Sequence, residues 1–148
     1  MLIAVEYAMQ IDGSVLNKDS PVALDDLNRY YFKNTDGNAH EDWLKAMDSE
    51  GKIENNEVTL HDVAMGMVTY SSNANTDYLI DLLGVSAINE RAKILGLTQH
   101  EEVYPIVGAL LIPKEINSTS MAEEKLIRKL EDMPIEDYRT LAEKLSKQ

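Results

Sequence analysis

The chain has 148 residues, enough for one domain with a substantial core. A formal charge of −12 argues against phosphate backbones and anionic lipid as partners, and a hydrophobic share of 44% argues against disorder. With no cysteine, disulfide frameworks, thiolate zinc sites and cysteine nucleophiles are excluded.

Helix signals dominate from the first residue. Residues 1–8 have no basic leader, and Glu6 interrupts their apolar stretch, so they do not read as a signal peptide. With no capping residue ahead, they read as a helix entered partway along, its stripe Leu2, Val5 and Met9. Asp12-Gly13 ends it. Residues 17–21 read as a turn and linker, and residues 23–31 as a short helix. Asn34-Thr35-Asp36-Gly37-Asn38 is a polar turn rich in residues that tolerate positive φ. Residues 40–47 predict a short helix stopped near Gly51.

The clearest element follows. Thr59-Leu60-His61-Asp62 resembles a capping box, with Asp in place of Glu or Gln, ahead of a stripe of Val63, Met67 and Tyr70. Ser71-Ser72-Asn73 breaks that helix and can cap the next, which carries Tyr78, Leu79, Leu82 and Leu83 to Gly84. Ser86 is expected to cap another, with Ile88, Ala92 and Leu95 inward, ending at Gly96. Pro105 opens a helix through Leu111, closed by Pro113. Ser118 or Ser120 starts one running to Leu130, and Pro134 starts the last, through Leu145. Trp43, Met65 and Met67 are assigned to the core. Residues 123–147 read as the solvated faces of two amphipathic helices. Strand signals are nearly absent, and no apolar run approaches the roughly 20 residues that span a bilayer. The expected class is all-α, one helical domain over residues 1–148 with about seven to nine helices.

The chemistry concentrates where one helix ends, Ser71-Ser72-Asn73 follows at once, and another helix begins. A hydroxyl and a carboxamide then project side by side at a helix N-terminus, beside amide donors and the positive end of the helix dipole. Such a corner can bind a substrate carbonyl or relay a proton. Taken alone, Ser-x-Asn between helices is also ordinary capping chemistry.

The wider run, residues 59–97, resembles serine β-lactamases and penicillin-binding proteins. Ser71 and Asn73 fall on the second motif of that group, Ser-x-Asn. Asp81-Leu82-Leu83-Gly84 and the run Ile88-Asn89-Glu90-Arg91-Ala92-Lys93-Ile94-Leu95-Gly96-Leu97 look like the segments that follow it. Leu2-Ile3-Ala4-Val5-Glu6-Tyr7-Ala8 is similar to the helix behind the nucleophile.

The resemblance implies the α domain of the β-lactamase/transpeptidase-like fold without its β-sheet domain. In such enzymes a serine attacks a carbonyl to give an acyl-enzyme. The hydroxyl matching Ser71 relays a proton to the leaving nitrogen, and the carboxamide matching Asn73 binds the substrate amide and the catalytic lysine. Ser72 stands where many class A members have Asp. An aromatic residue edging the ligand is matched by Tyr31. Glu101 or Glu102 follows Gly96 at a place suited to a deacylation base, with Glu102 taken as a substrate contact, although Glu-x-x-Leu-Asn is absent.

Two required motifs do not match. Ser-x-x-Lys occurs once, as Ser49-Glu50-Gly51-Lys52, where Gly51 breaks the helix the geometry needs. Lys-Thr-Gly does not occur. The expectation is therefore the helical lobe of a larger two-lobed enzyme, inactive alone, whose intact form takes a small-molecule or peptide substrate without a cofactor. Its partner is the sheet domain of the same protein, and the exposed face permits weak self-association. Relatives of this kind work outside the cytoplasmic membrane, but this stretch carries no address. His40, His61 and His100 show no metal-ligand spacing. The alternative is a non-enzymatic helical interaction module.

Overall fold

A computed structural model describes residues 1–117 and 121–146. The fold is all-α: the chain is 63% helical, with a single two-stranded sheet among the described residues. In chain order the elements are α1 (Leu2–Asp12), β1 (Pro21–Ala23), α2 (Leu24–Asn28), α3 (Ala39–Ser49), β2 (Glu57–Thr59) and α4 (Leu60–Met65). A π-helical turn (Gly66–Tyr70) leads on to α5 (Asn73–Leu83), α6 (Val85–Ile94), α7 (Ile106–Ile116), α8 (Glu123–Glu131) and α9 (Ile135–Leu145). No helix among the described residues is long and apolar enough to cross a membrane.

Helix α5 is the axle of the fold and packs against α1, α2, α3, α4, α6 and α7. Ala74, Leu79, Ile80 and Leu83 are buried on it, and around them lie Leu27, Trp43, Val63 and Ile88, all inaccessible to solvent. Between α1 and α6, the Glu6 carboxylate accepts from Arg91 Nε at 2.8 Å and from Gln10 Nε2 at 2.9 Å. Burial pushes the Glu6 carboxyl up, but the Gln10 and Arg91 bonds outweigh it and hold the group below its usual range.

A second, smaller cluster forms between α7 and α9 from Ile112, Ala142 and Leu145. Gly108 allows the close approach, since a Cβ there would stand 1.9 Å from the Ala142 carbonyl oxygen. Asp77 of α5 joins this cluster to the main core. Its buried carboxylate accepts the backbone N–H groups of Ile106 (2.7 Å) and Val107 (2.9 Å), capping an α7 start that Pro105 cannot cap itself.

Several sequence expectations are corrected. A short sheet exists: Val22 pairs with Val58, both buried, in strands too short to show a period-two pattern. On α1 the inward face is Leu2, Ile3 and Glu6, with Met9 46% exposed, because the Glu6–Arg91 pair rotates the helix toward α6. Met65 is exposed rather than in the core, and so are Leu82 and Leu95. Ser86 does not cap α6, which already begins at Val85; Gly84 at φ 85° lets α5 and α6 follow back to back. Pro113 does not end α7. It forfeits one N–H near the last turn while Ile112 is fully buried against α9, and the helix runs on to Ile116. Helix α8 begins at Glu123, while the expected starts at Ser118 and Ser120 lie outside the described residues.

Gly108→Ala should therefore overpack the α7–α9 contact and destabilise the chain by about 1–3 kcal/mol, read by urea denaturation. Burial pushes Asp77 up to about 6, against the lowering pull of the Ile106 and Val107 N–H groups. An unfolded Asp titrates near ~3.9, so its contribution is complete below that pH and is lost as pH rises through about 6. Comparing wild type with Asp77→Asn between pH 4 and 7 should show this decline in wild type only.

Candidate active site

The site is built where α4 hands over to α5. Thr59 caps α4: its hydroxyl accepts from Asp62 N at 3.1 Å and donates to the Asp62 carboxylate. The helix then widens into the π turn, and the Ser71 N–H closes it on the Gly66 carbonyl. Gly66 is required by crowding. A Cβ there would lie 2.0 Å from Asn75 Nδ2 and 2.8 Å from Trp43 Nε1. Asn75 Nδ2 in turn donates to the Val63 carbonyl at 3.2 Å, satisfying backbone beside the widened turn.

Ser71 terminates the turn in the left-handed region, at φ 62° and ψ 32°. For a non-glycine residue this conformation costs roughly 1–2 kcal/mol, so its neighbours must impose it. Its side chain is exposed, and no hydrogen bond among the described residues engages the hydroxyl. Ser72, by contrast, is fully buried and caps α5, its Oγ accepting from Asn75 N at 3.3 Å. Thr76 Oγ1 donates to the Ser72 carbonyl at 2.7 Å.

Asn73 is half-buried and held from outside its own helix. Its N–H donates to Asp36 Oδ2 at 3.3 Å, and its Nδ2 donates to the Thr35 carbonyl at 3.1 Å. The same Asp36 oxygen accepts the His40 N–H at 3.2 Å, so one carboxylate serves the first turns of both α3 and α5. This corrects one expectation. Two of the amide donors anticipated at the α5 N-terminus, those of Asn73 and Asn75, are already taken by Asp36 and Ser72. Among the described residues, no hydrogen bond engages the Ser71 hydroxyl or the Asn73 carboxamide oxygen.

Tyr31 reaches the corner indirectly. Its ring stacks on His40 with centroids 4.8 Å apart, and His40 Nδ1 lies 3.0 Å from Ser72 Oγ. The Tyr31 hydroxyl donates to the Glu41 carboxylate, and that bond pushes it up to about 12. Glu102 is engaged elsewhere: it pairs with Arg139 of α9 at 2.8 Å. Ser49 and Lys52 do not form a catalytic pair. Ser49 Oγ donates to the Ala46 carbonyl, Gly51 turns the chain at φ 67°, and Lys52 pairs with Glu50 and Asp62.

The structure brings His40, Asp36 and Asn75, none of them singled out from the sequence as site residues, into hydrogen-bond contact with Ser72 and Asn73. Asn75 carried a local signal, three residues after the cap. His40 and Asp36 carried none, since their bonds to the corner span 32 and 37 residues.

With this geometry in view, the class is that of a serine β-lactamase-like helical lobe. Residues 36–138 match the sequence profile of the Beta-lactamase enzyme family, and the chain belongs to that family. No curated protein and no solved structure gave a match.

Ser72→Ala should remove the α5 cap and strand the His40 Nδ1, costing about 2 kcal/mol in chemical denaturation. Ser71→Ala, at an exposed side chain with no such bond, should leave stability within about 0.5 kcal/mol.

Proposed function

We propose that these residues form the helical wall of a serine acyl-transfer cleft, acting on β-lactams, D-alanyl peptides or related amides and esters. The family supports a hydrolase of the serine type and a small-molecule substrate. The observation that carries the reading further is the corner itself. An unengaged Ser71 hydroxyl stands two residues before an Asn73 carboxamide whose nitrogen is pinned by the Thr35 carbonyl, leaving its oxygen to face a ligand.

In this reading the nucleophilic serine and its lysine come from outside these 148 residues, as does the strand bearing Lys-Thr-Gly. The nucleophile's hydroxyl gives its proton to the lysine amine as its oxygen bonds to the substrate carbonyl carbon, and the carbon–nitrogen bond breaks. Ser71 passes the proton to the departing nitrogen and regains one from the lysine side. Asn73 orients the substrate amide and the lysine ammonium. Water then releases the acyl group. Ser72 acts beneath the surface as the cap that fixes its neighbours, and Tyr31 supports it through His40. Glu102, paired with Arg139, contributes to the wall rather than to deacylation.

The 148-residue chain alone should take up no fluorescent penicillin, even when its far-UV circular dichroism shows it folded. The enzyme carrying it, with Ser-x-x-Lys and Lys-Thr-Gly in place, should be labelled covalently. In that enzyme Ser71→Ala should slow acylation roughly a hundredfold or more. An intact enzyme that resists labelling, or a Ser71→Ala enzyme labelled at full speed, would leave the helical interaction module as the better description.

A further inference from the structure

The residue between the two motif side chains is held by a group the family reading does not use. His40 is 1% exposed, sandwiched between Tyr31 at 4.8 Å and Trp43 at 5.5 Å, with Nδ1 3.0 Å from Ser72 Oγ. Ser72 Oγ also lies 3.1 Å from Asn75 Oδ1 and accepts from Asn75 N.

These contacts fix the direction of every proton. Asn75 Oδ1 accepts only, so the Ser72 hydroxyl must donate to it. Ser72 Oγ then has lone pairs facing Asn75 N–H and His40, and His40 must present Nδ1–H. The other tautomer would leave two acceptor oxygens facing each other at 3.1 Å without a proton. Burial pulls the imidazole below its usual range, against the opposing pull of Asp36 and its other polar neighbours; this favours the neutral ring with its one N–H.

We propose that His40 is a positioning residue for the acyl-transfer site: through its Nδ1–H bond to Ser72 it sets the pitch of Ser71 and Asn73. The inference rests on the function proposed above. Ser71 holds a strained left-handed conformation between the π turn and Ser72. A strained residue keeps its geometry only when both flanks are anchored. The π turn anchors one flank, and the cap with its histidine donor anchors the other. His40 supplies the donor to Ser72 from a different helix, α3.

The test uses the intact enzyme and three variants. His40→Phe keeps the stacked ring and loses the donor. His40→Asn keeps an N–H near the Nδ1 place. His40→Gln moves it toward the Nε2 place. Acylation by a fluorescent penicillin, normalised to folded protein, should fall on the order of tenfold to a hundredfold at saturation in His40→Phe and His40→Gln. Half-saturation should change little, and His40→Asn should recover most of the rate. If His40→Phe does not fold, His40→Gln against His40→Asn decides the matter. Nitrogen NMR of the 148-residue chain should show Nδ1 protonated and Nε2 bare. Wild-type rates in the Phe or Gln variants, beside a slow Ser71→Ala, overturn this inference alone, as does a protonated Nε2. A full-speed Ser71→Ala overturns the proposed function and this inference with it.

Discussion

The first turn of α5 is buried, and that constraint organises the molecule. A helix start leaves backbone N–H groups without partners, and at the surface water would take them. Here water is excluded by Trp43, Val63 and the π turn, so protein groups must serve instead. Ser72 Oγ takes Asn75 N, and Asp36 reaches across from the loop ahead of α3 to take Asn73 N. These two bonds put the loop, α3 and α5 in one register. Because the buried polar chain continues through His40, Asn75 and the Val63 carbonyl, the corner is tied to α3 and α4 as well as to its own helix.

Rigidity beneath and freedom above follow from the same arrangement. The chain leaves α4 through a π turn, whose extra width brings Ser71 out to solvent while Ser72 goes inside. Gly66 makes the turn possible because Asn75 and Trp43 occupy the space a side chain would need. Ser71 consequently offers a hydroxyl that no structural task consumes, on a backbone that cannot easily move. The proposed acyl-transfer role would require this combination, since reacting atoms must be held within a fraction of an ångström. The α7–α9 cluster, closed by the packing around Gly108, is tied to α5 by the two bonds to Asp77.

Much of this was legible in the residues. The all-α class followed from apolar spacing, the α4 cap from Thr59 and Asp62, and the break at Ser71-Ser72-Asn73 from capping chemistry. Errors arose where a tertiary contact outweighed a local preference. The stripe through Met9 lost to the Glu6–Arg91 pair on the neighbouring face of α1. Pro113 was read as a terminator, yet the burial of Ile112 against α9 carried the helix past it. Chain order also gave no sign that Glu102 pairs with Arg139, 37 residues further along.

What the sequence alone determined was the set of local transitions: which segments coil, where they stop, and that a serine and an asparagine flank one helix start. Those are set by backbone hydrogen bonding and side-chain shape within a few residues. Which of the three corner residues turns inward was decided by the tertiary fold. So were the π turn that exposes Ser71 and the loop carboxylate and histidine that hold its neighbours. Those features depend on groups more than 30 residues apart meeting in a space closed to water, and no local pattern records such a meeting.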